Sequence, residues 1–221
     1  MNVSLDTDIT IHLYNSGKEE LLFRYFDKCY MHEFILEREI KNKSESVYQK
    51  IKEEEATGRI IVVDTRYLID LGMKKRFEDA LYEVKVLFDF GEANAVALAS
   101  TLGIAALVTD DTKEYGPHYS LKNEYIEDVI PFCFYELLYL QYLESDNDFC
   151  ALQEQFEHIN NIAYPEYPMS FLSRIKRVVK RFGKNGTNRD QKWLESFCLE
   201  KDIDYHKKMK ELKDNLLRLD M

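Results

Sequence analysis

The sequence has no apolar run long enough to cross a membrane. Its longest mostly apolar stretch, Ala93 to Val108, falls short of the ~20 residues that a membrane helix needs. Asn94, Ser100, Thr101 and Gly103 also interrupt it. The opening Met1-Asn2-Val3-Ser4-Leu5-Asp6 has neither the basic nor the long apolar segment of a signal peptide. The expectation is a cytoplasmic protein with no membrane partner. Cysteine is sparse: Cys29, Cys133, Cys150 and Cys198 show no C-x-x-C spacing and no zinc-like pattern with histidine. They read as thiols in a reducing compartment. No internal repeat and no low-complexity tract is visible.

Positive charge is also in deficit. The formal net charge of −10 disfavours a protein that coats nucleic acid by bulk attraction. It does not exclude one that handles nucleic acid through a metal, because clustered carboxylates lower the net charge and the ion restores it locally. The balance is uneven. Residues 174 to 192 hold eight basic side chains and one acid, Asp190, so this stretch is +7 and the remainder −17. The ordinary reading is a solvated helix and loop. The rival is a phosphate-binding arm for RNA, carried by Arg174, Lys176, Arg177, Lys180 and Arg181, with Phe182 and Trp193 available to stack bases.

What is present reads as α/β. Val3 to Leu5, Cys29 to Met31, Ile60 to Val63 and Ile104 to Val108 are short apolar runs that suit strands buried on both faces. Helical segments lie between them: Ile9 to Tyr14, Glu20 to Lys28, Glu33 to Thr57, and Gly91 to Leu102 closed by Gly103. Strands alternating with helices imply a parallel sheet flanked by helices, with a site outside the carboxyl ends of the strands. After about residue 120 no further strand is expected. Pro131 precedes an aromatic helical run, Asp148 to Ile162 is another helix, and a last charged helix ends near Leu219. The chain therefore divides into an α/β domain over 1–122 and an all-helical region over 123–221.

Acids fall at four places in the first part. Asp6 and Asp8 follow the first strand. Glu37 and Glu39 lie on a helix. Asp89 and Glu92 open the alanine-rich helix, and Asp110 and Asp111 follow the fourth strand. Oxygen ligands in this number suit Mg²⁺ or Mn²⁺, which keep several waters and need one or two carboxylates each. Asp6 and the pair Asp110 and Asp111 sit at strand carboxyl ends. Asp8 also suits a helix cap, as does Asp64, and Asp89 suits a cap or a supporting acid. Two positions apart on a helix, Glu37 and Glu39 cannot both face one site. His12 and His32 lie nearby but read as structural, since hard cations favour oxygen.

The segments Asp6-Thr7-Asp8, Gly91-Glu92-Ala93-Asn94-Ala95-Val96-Ala97 and Thr109-Asp110-Asp111 resemble, in order and spacing, the PIN-domain nucleases, especially the VapC-like toxins of bacterial toxin–antitoxin pairs. The resemblance covers residues ~1–120. It implies a PIN-like parallel sheet and a metal-dependent endoribonuclease that leaves a 5′-phosphate. It implies functional acids at Asp6, Glu92 and one or both of Asp110 and Asp111, with Glu39 before Ile40 favoured over Glu37. It further implies homodimers and a small antitoxin. Two other readings stand beside it: a PIN-like interaction or regulatory module without turnover, and a nuclease acting on DNA.

Overall fold

The computed structural model describes residues 1–123, 129–144, 149–184 and 186–219. The chain forms two compact units, Met1–Phe134 and Tyr135–Met221.

The first unit is built on five parallel strands: β1 (Val3–Leu5), β2 (Cys29–His32), β3 (Ile60–Val63), β4 (Ala106–Val108) and β5 (Ile130–Phe132), in the order β3-β2-β1-β4-β5. Helices α1 (Thr7–Asn15), α2 (Glu20–Tyr25), α3 (Lys41–Lys43), α4 (Glu45–Thr57), α5 (Thr65–Asp70), α6 (Lys74–Val84), α7 (Phe90–Leu102) and α8 (Pro117–Lys122) fill the connections. Val3, Leu5, Met31, Val63, Leu107 and Val108 are buried, as a sheet covered on both faces requires. The alanine-rich α7 is buried along nearly its whole length, because small side chains let it lie close to its neighbours.

Strand order reverses at β1. The chain runs outward through β2 and β3, then returns to place β4 on the other side of β1. A crevice opens at such a reversal, outside the carboxyl ends of the two strands. The register pairs Leu5 with Val108, so Asp6 and Thr109 leave the sheet side by side.

Four sequence expectations need correction. The helix expected over Glu33 to Thr57 is a π-helical segment, Ile35–Ile40, running into α3, then a break at Ser44 in extended backbone, then α4. The segment expected to be strand-free after residue 120 contains β5. Its Ile130-Pro131-Phe132 is too short for a periodicity signal, and proline is tolerated because β5, which among the described residues pairs only with β4, forms an edge. The boundary accordingly falls after Phe134 and not at 122. The last charged helix is two helices, α12 (Asn188–Glu200) and α13 (Tyr205–Leu219). Asp202, with φ of 54°, turns the chain between them.

The second unit consists of α9, which starts at Phe134 and ends at Glu144, with α10 (Phe149–Ala163), α11 (Phe171–Phe182), α12 and α13. Asp148, expected to open α10, lies outside the described residues. Tyr139, Phe156, Ile175, Phe182 and Leu212 are buried in this unit. Both ends of the Asn160 amide bond the backbone of Met169, at 2.9 and 3.0 Å, and so pin the loop that carries Pro165 and Pro168. Among the described residues no helix is long and apolar enough to cross a membrane.

Candidate functional site

Asp6 ends β1 and caps α1. One carboxylate oxygen accepts from the Thr7 N–H at 2.7 Å, and the other accepts from the Thr109 hydroxyl at 2.7 Å. Asp6 is only 5% exposed. Burial pushes its carboxyl up to about 7, against the Thr109 and Thr7 hydrogen bonds, and the negative charges of Asp8 and Asp89 add to the rise. Asp8, expected as the cap, instead projects into solvent and pairs with Lys43 at 2.9 Å.

Glu92 stands one turn into α7. It and Asp89 form a reciprocal cap: Asp89 accepts from the Glu92 N–H at 2.9 Å, and Glu92 accepts from the Asp89 N–H at 3.2 Å. Asp89 is thus the helix cap that its position suggested. The Glu92 carboxyl is held well above the usual carboxylate range, first by burial, then by its hydrogen bond with Asp111 and by the charges of Asp89, Asp111 and Asp6. Burial works to raise Asp111 too. There the hydrogen bonds from Glu92 and Lys113 win, and its carboxyl lies below the usual range. Lys113 Nζ lies 2.5 Å from Asp111 and 3.9 Å from Glu92.

The structure separates the two adjacent aspartates. Asp111 turns toward Glu92. Asp110 turns away: it accepts from the Phe134 N–H at 3.1 Å and meets His12 Nδ1 at 2.8 Å, with its side chain 2% exposed. Asp110 therefore ties the chain after β4 to α1 and to the backbone just past β5, which leaves Asp111 as the acid on the crevice.

It also separates Glu37 from Glu39. Glu39 hydrogen-bonds the Thr7 hydroxyl and packs its carboxylate onto the backbone of Gly91. Glu37 accepts from the Tyr48 hydroxyl at 3.0 Å and pairs with Lys41 at 3.4 Å. It opens on a different space, a cavity of about 580 Å³ lined also by His32, Phe34, Phe77, Phe90 and Asn94. A π-helical segment at a functional site is a common device for aiming side chains.

Two glycines make room for this arrangement. A Cβ at Gly91 would overlap the Glu39 carboxylate, and one at Gly116 would lie 2.7 Å from Asp111 Oδ1. Both acids occupy space that a side chain would otherwise fill. If the crevice takes Mn²⁺, Gly91→Ala is accordingly expected to displace Glu39 and weaken that binding by about tenfold or more, with helix content unchanged, as titration calorimetry and circular dichroism would show. Unchanged affinity would mean that Glu39 takes no part.

Asp6, Glu39, Glu92 and Asp111 thus border one crevice, and all their donor atoms are oxygen. No three of them bring carboxylate oxygens all within 4.8 Å of one another. They ring the opening and do not close on one point. Such an arrangement suits a hard cation that keeps several of its own waters. Two residues unmarked in the sequence, Lys43 and Lys113, neutralise part of the ring. Burial works against the charge of Lys43, but Asp8, Glu39 and Asp6 outweigh it. A lone lysine two residues after an aspartate carries no signal of its own. His32, as expected, is structural: it stacks on Phe77 at 4.9 Å, and burial pushes its imidazole down to about 4, so it is neutral.

The basic stretch is only partly an open face. Arg181, proposed as an RNA contact, is buried and ion-paired to Glu136 at 2.8 Å and Asp190 at 2.6 Å. Phe182, proposed to stack bases, is 3% exposed and stacks on Tyr139. Trp193 lies between Phe182 and Phe197. Arg174 is half-buried over the Tyr135 ring. Lys176, Arg177 and Lys180 are exposed.

Compared with known proteins, the chain matches no protein-family model, no curated protein sequence and no solved structure.

Proposed function

We propose that the first unit is a Mg²⁺- or Mn²⁺-dependent nuclease of PIN-like type, acting on RNA. One observation carries the reading. At the reversal of strand order, Asp6 leaves β1 beside Thr109 and Asp111 leaves β4, while Glu92 and Glu39 approach from α7 and the π-helical segment. Two of these acids, Asp6 and Glu92, have carboxyls raised by burial and by like charge. Such a cluster lacks enough positive charge, and a divalent cation supplies it.

When bound, the cation contributes Lewis acidity and charge neutralisation at a phosphodiester. The chain's own residues supply the rest. Asp6 is oriented from both sides, by Thr7 and Thr109. Glu92 is fixed by its cap with Asp89. Glu39 and Asp111 are aimed by the two glycines. Lys113, exposed at the rim, is placed to meet a substrate phosphate.

The test is cleavage of a mixed RNA and single-stranded DNA pool in Mn²⁺, with and without EDTA, beside Asp6→Asn/Glu92→Gln. EDTA-sensitive cutting of RNA that disappears in the variant is the expected result. Preferential cutting of DNA would replace the substrate class. No cutting, together with no Mn²⁺ binding by calorimetry, would overturn the nuclease and leave a binding module.

A further inference from the structure

The second unit carries a cationic surface that the acidic site does not explain. Helix α11 has the sequence Phe-Leu-Ser-Arg-Ile-Lys-Arg-Val-Val-Lys-Arg-Phe, with no acid. Its apolar residues Phe171, Ile175, Val178 and Phe182 are buried, and Arg181 shares that buried side with Glu136 and Asp190. The opposite side shows Ser173, Lys176, Arg177 and Lys180, all exposed, and Lys184 follows just beyond the helix. With Ser170 and Leu172, the first four line an open recess of about 440 Å³.

An ordinary solvated helix mixes signs. Helices α4, α6, α12 and α13 all do so here. A one-sign face on a chain of net charge −10 runs against that pattern. Its complement is a polyanion. Three cations at spacings of one, three and four residues lie along one side of the helix axis, so they present a row and not a single pocket. A row matches a phosphodiester backbone. A membrane surface fits less well, because amphipathic membrane helices insert a broad apolar face, and Phe171, Ile175, Val178 and Phe182 are committed to the core of their own unit, which leaves only Leu172 and Val179 part-exposed.

We infer that the face formed by Ser173, Lys176, Arg177 and Lys180 binds the phosphate backbone of single-stranded nucleic acid, independently of sequence. The inference rests on the proposed nuclease reading, for which it supplies the substrate-holding surface. Lysine and arginine there act as point charges and forks on successive phosphates, releasing counterions as they bind.

The experiment is fluorescence anisotropy of a labelled single-stranded RNA in EDTA, where no cutting occurs, across a salt series. The proteins are the full chain, Lys176→Gln/Arg177→Gln/Lys180→Gln, and a charge-matched control on α13, Lys207→Gln/Lys210→Gln/Lys213→Gln. Circular dichroism first verifies that all three fold alike. Each lost contact to a single strand lowers the slope of log affinity against log salt by about 0.7, so the α11 variant should lose about 2 and bind at least tenfold more weakly in low salt. The control should keep the full-chain slope. Equal weakening in both variants would reduce the effect to bulk charge and overturn the proposal. So would an unchanged α11 variant, or binding of the full chain to phosphatidylserine vesicles but not to RNA. Asp6→Asn/Glu92→Gln runs in parallel. If it binds RNA like the full chain, and neither cuts in Mn²⁺, the nuclease reading fails while the binding face stands. If the full chain cuts and the α11 variant binds normally, the reverse holds.

Discussion

Asp6→Asn should abolish cleavage while making the metal-free protein more stable at neutral pH. The loss of activity is expected to be on the order of 10²- to 10³-fold or more, the scale seen when one preorganised group that stabilises a transition state is removed. The gain in stability follows from burial. In the folded chain the Asp6 carboxyl lies at about 7, above its ordinary 3.8. Between those two values the folded state holds a proton that the unfolded state has released. The Asp6 contribution to the stability of the metal-free protein therefore falls as pH rises from about 4 to about 7, by on the order of 4 kcal/mol at 1.36 kcal/mol per unit, and then levels. Asparagine has nothing to titrate. It keeps the cap on α1, and the Thr109 hydroxyl can turn from donor to acceptor. Unfolding midpoints in EDTA at pH 5 and pH 8 should draw together in the variant. The fall in stability that remains belongs to Glu92, also raised, and Asp6→Asn/Glu92→Gln should remove it, leaving the opposite trend of His32, whose lowered imidazole makes stability rise between about 4 and 6.5. Mn²⁺ should stabilise the natural chain at pH 8 and leave the single variant nearly unmoved. If Asp6→Asn keeps the full pH slope, or gains as much from Mn²⁺, Asp6 is neither strained nor a ligand.

That prediction depends on features of unequal legibility. Asp6 could be found because a strand that ends in an aspartate puts it at the carboxyl edge of a parallel sheet, and the sheet was visible as short apolar runs. Glu92 could be found because Gly91 and an alanine-rich helix surround it. The reason for the glycine could not be seen: the contact it permits is with Glu39, fifty-two residues earlier in the chain. The choice between Asp110 and Asp111 was equally hidden. It turns on Phe134, two residues past a strand of three residues that contains a proline and leaves no period to read. Glu37 and Glu39 were separable in principle, but which one faces α7 depends on a π-helical turn, and no local pattern marks one. Lys43 and Lys113 join the site through charge alone, and charge has no spacing rule in sequence.

Replacing Arg181 with methionine should cost the second unit about 3–5 kcal/mol, although the sequence offers Arg181 only as one cation of a basic stretch and a candidate RNA contact. Its guanidinium is 4% exposed and lies between the Glu136 carboxylate, 3% exposed, and that of Asp190, which is fully buried. Burial works against its charge, but the two carboxylates outweigh it and hold the guanidinium above its ordinary range. Taking it away leaves two acids out of water. Asp190 retains Arg189, at 3.0 Å, while Glu136 loses the ion pair it makes at 2.8 Å. The cost is therefore that of two buried carboxylates losing the cation they share. Replacing the whole group should recover most of it, so Arg181→Met/Glu136→Leu/Asp190→Leu is expected to lie within ~1–2 kcal/mol of the natural chain. The single tryptophan, Trp193, is packed against Phe182 and reports on this unit alone. Urea unfolding followed by its fluorescence measures both variants. A single replacement costing under ~1 kcal/mol would show that water reaches Glu136 and Asp190. A triple variant no better than the single one would show that the network holds α9, α11 and α12 in register by its geometry, so that hydrophobic packing cannot stand in for it.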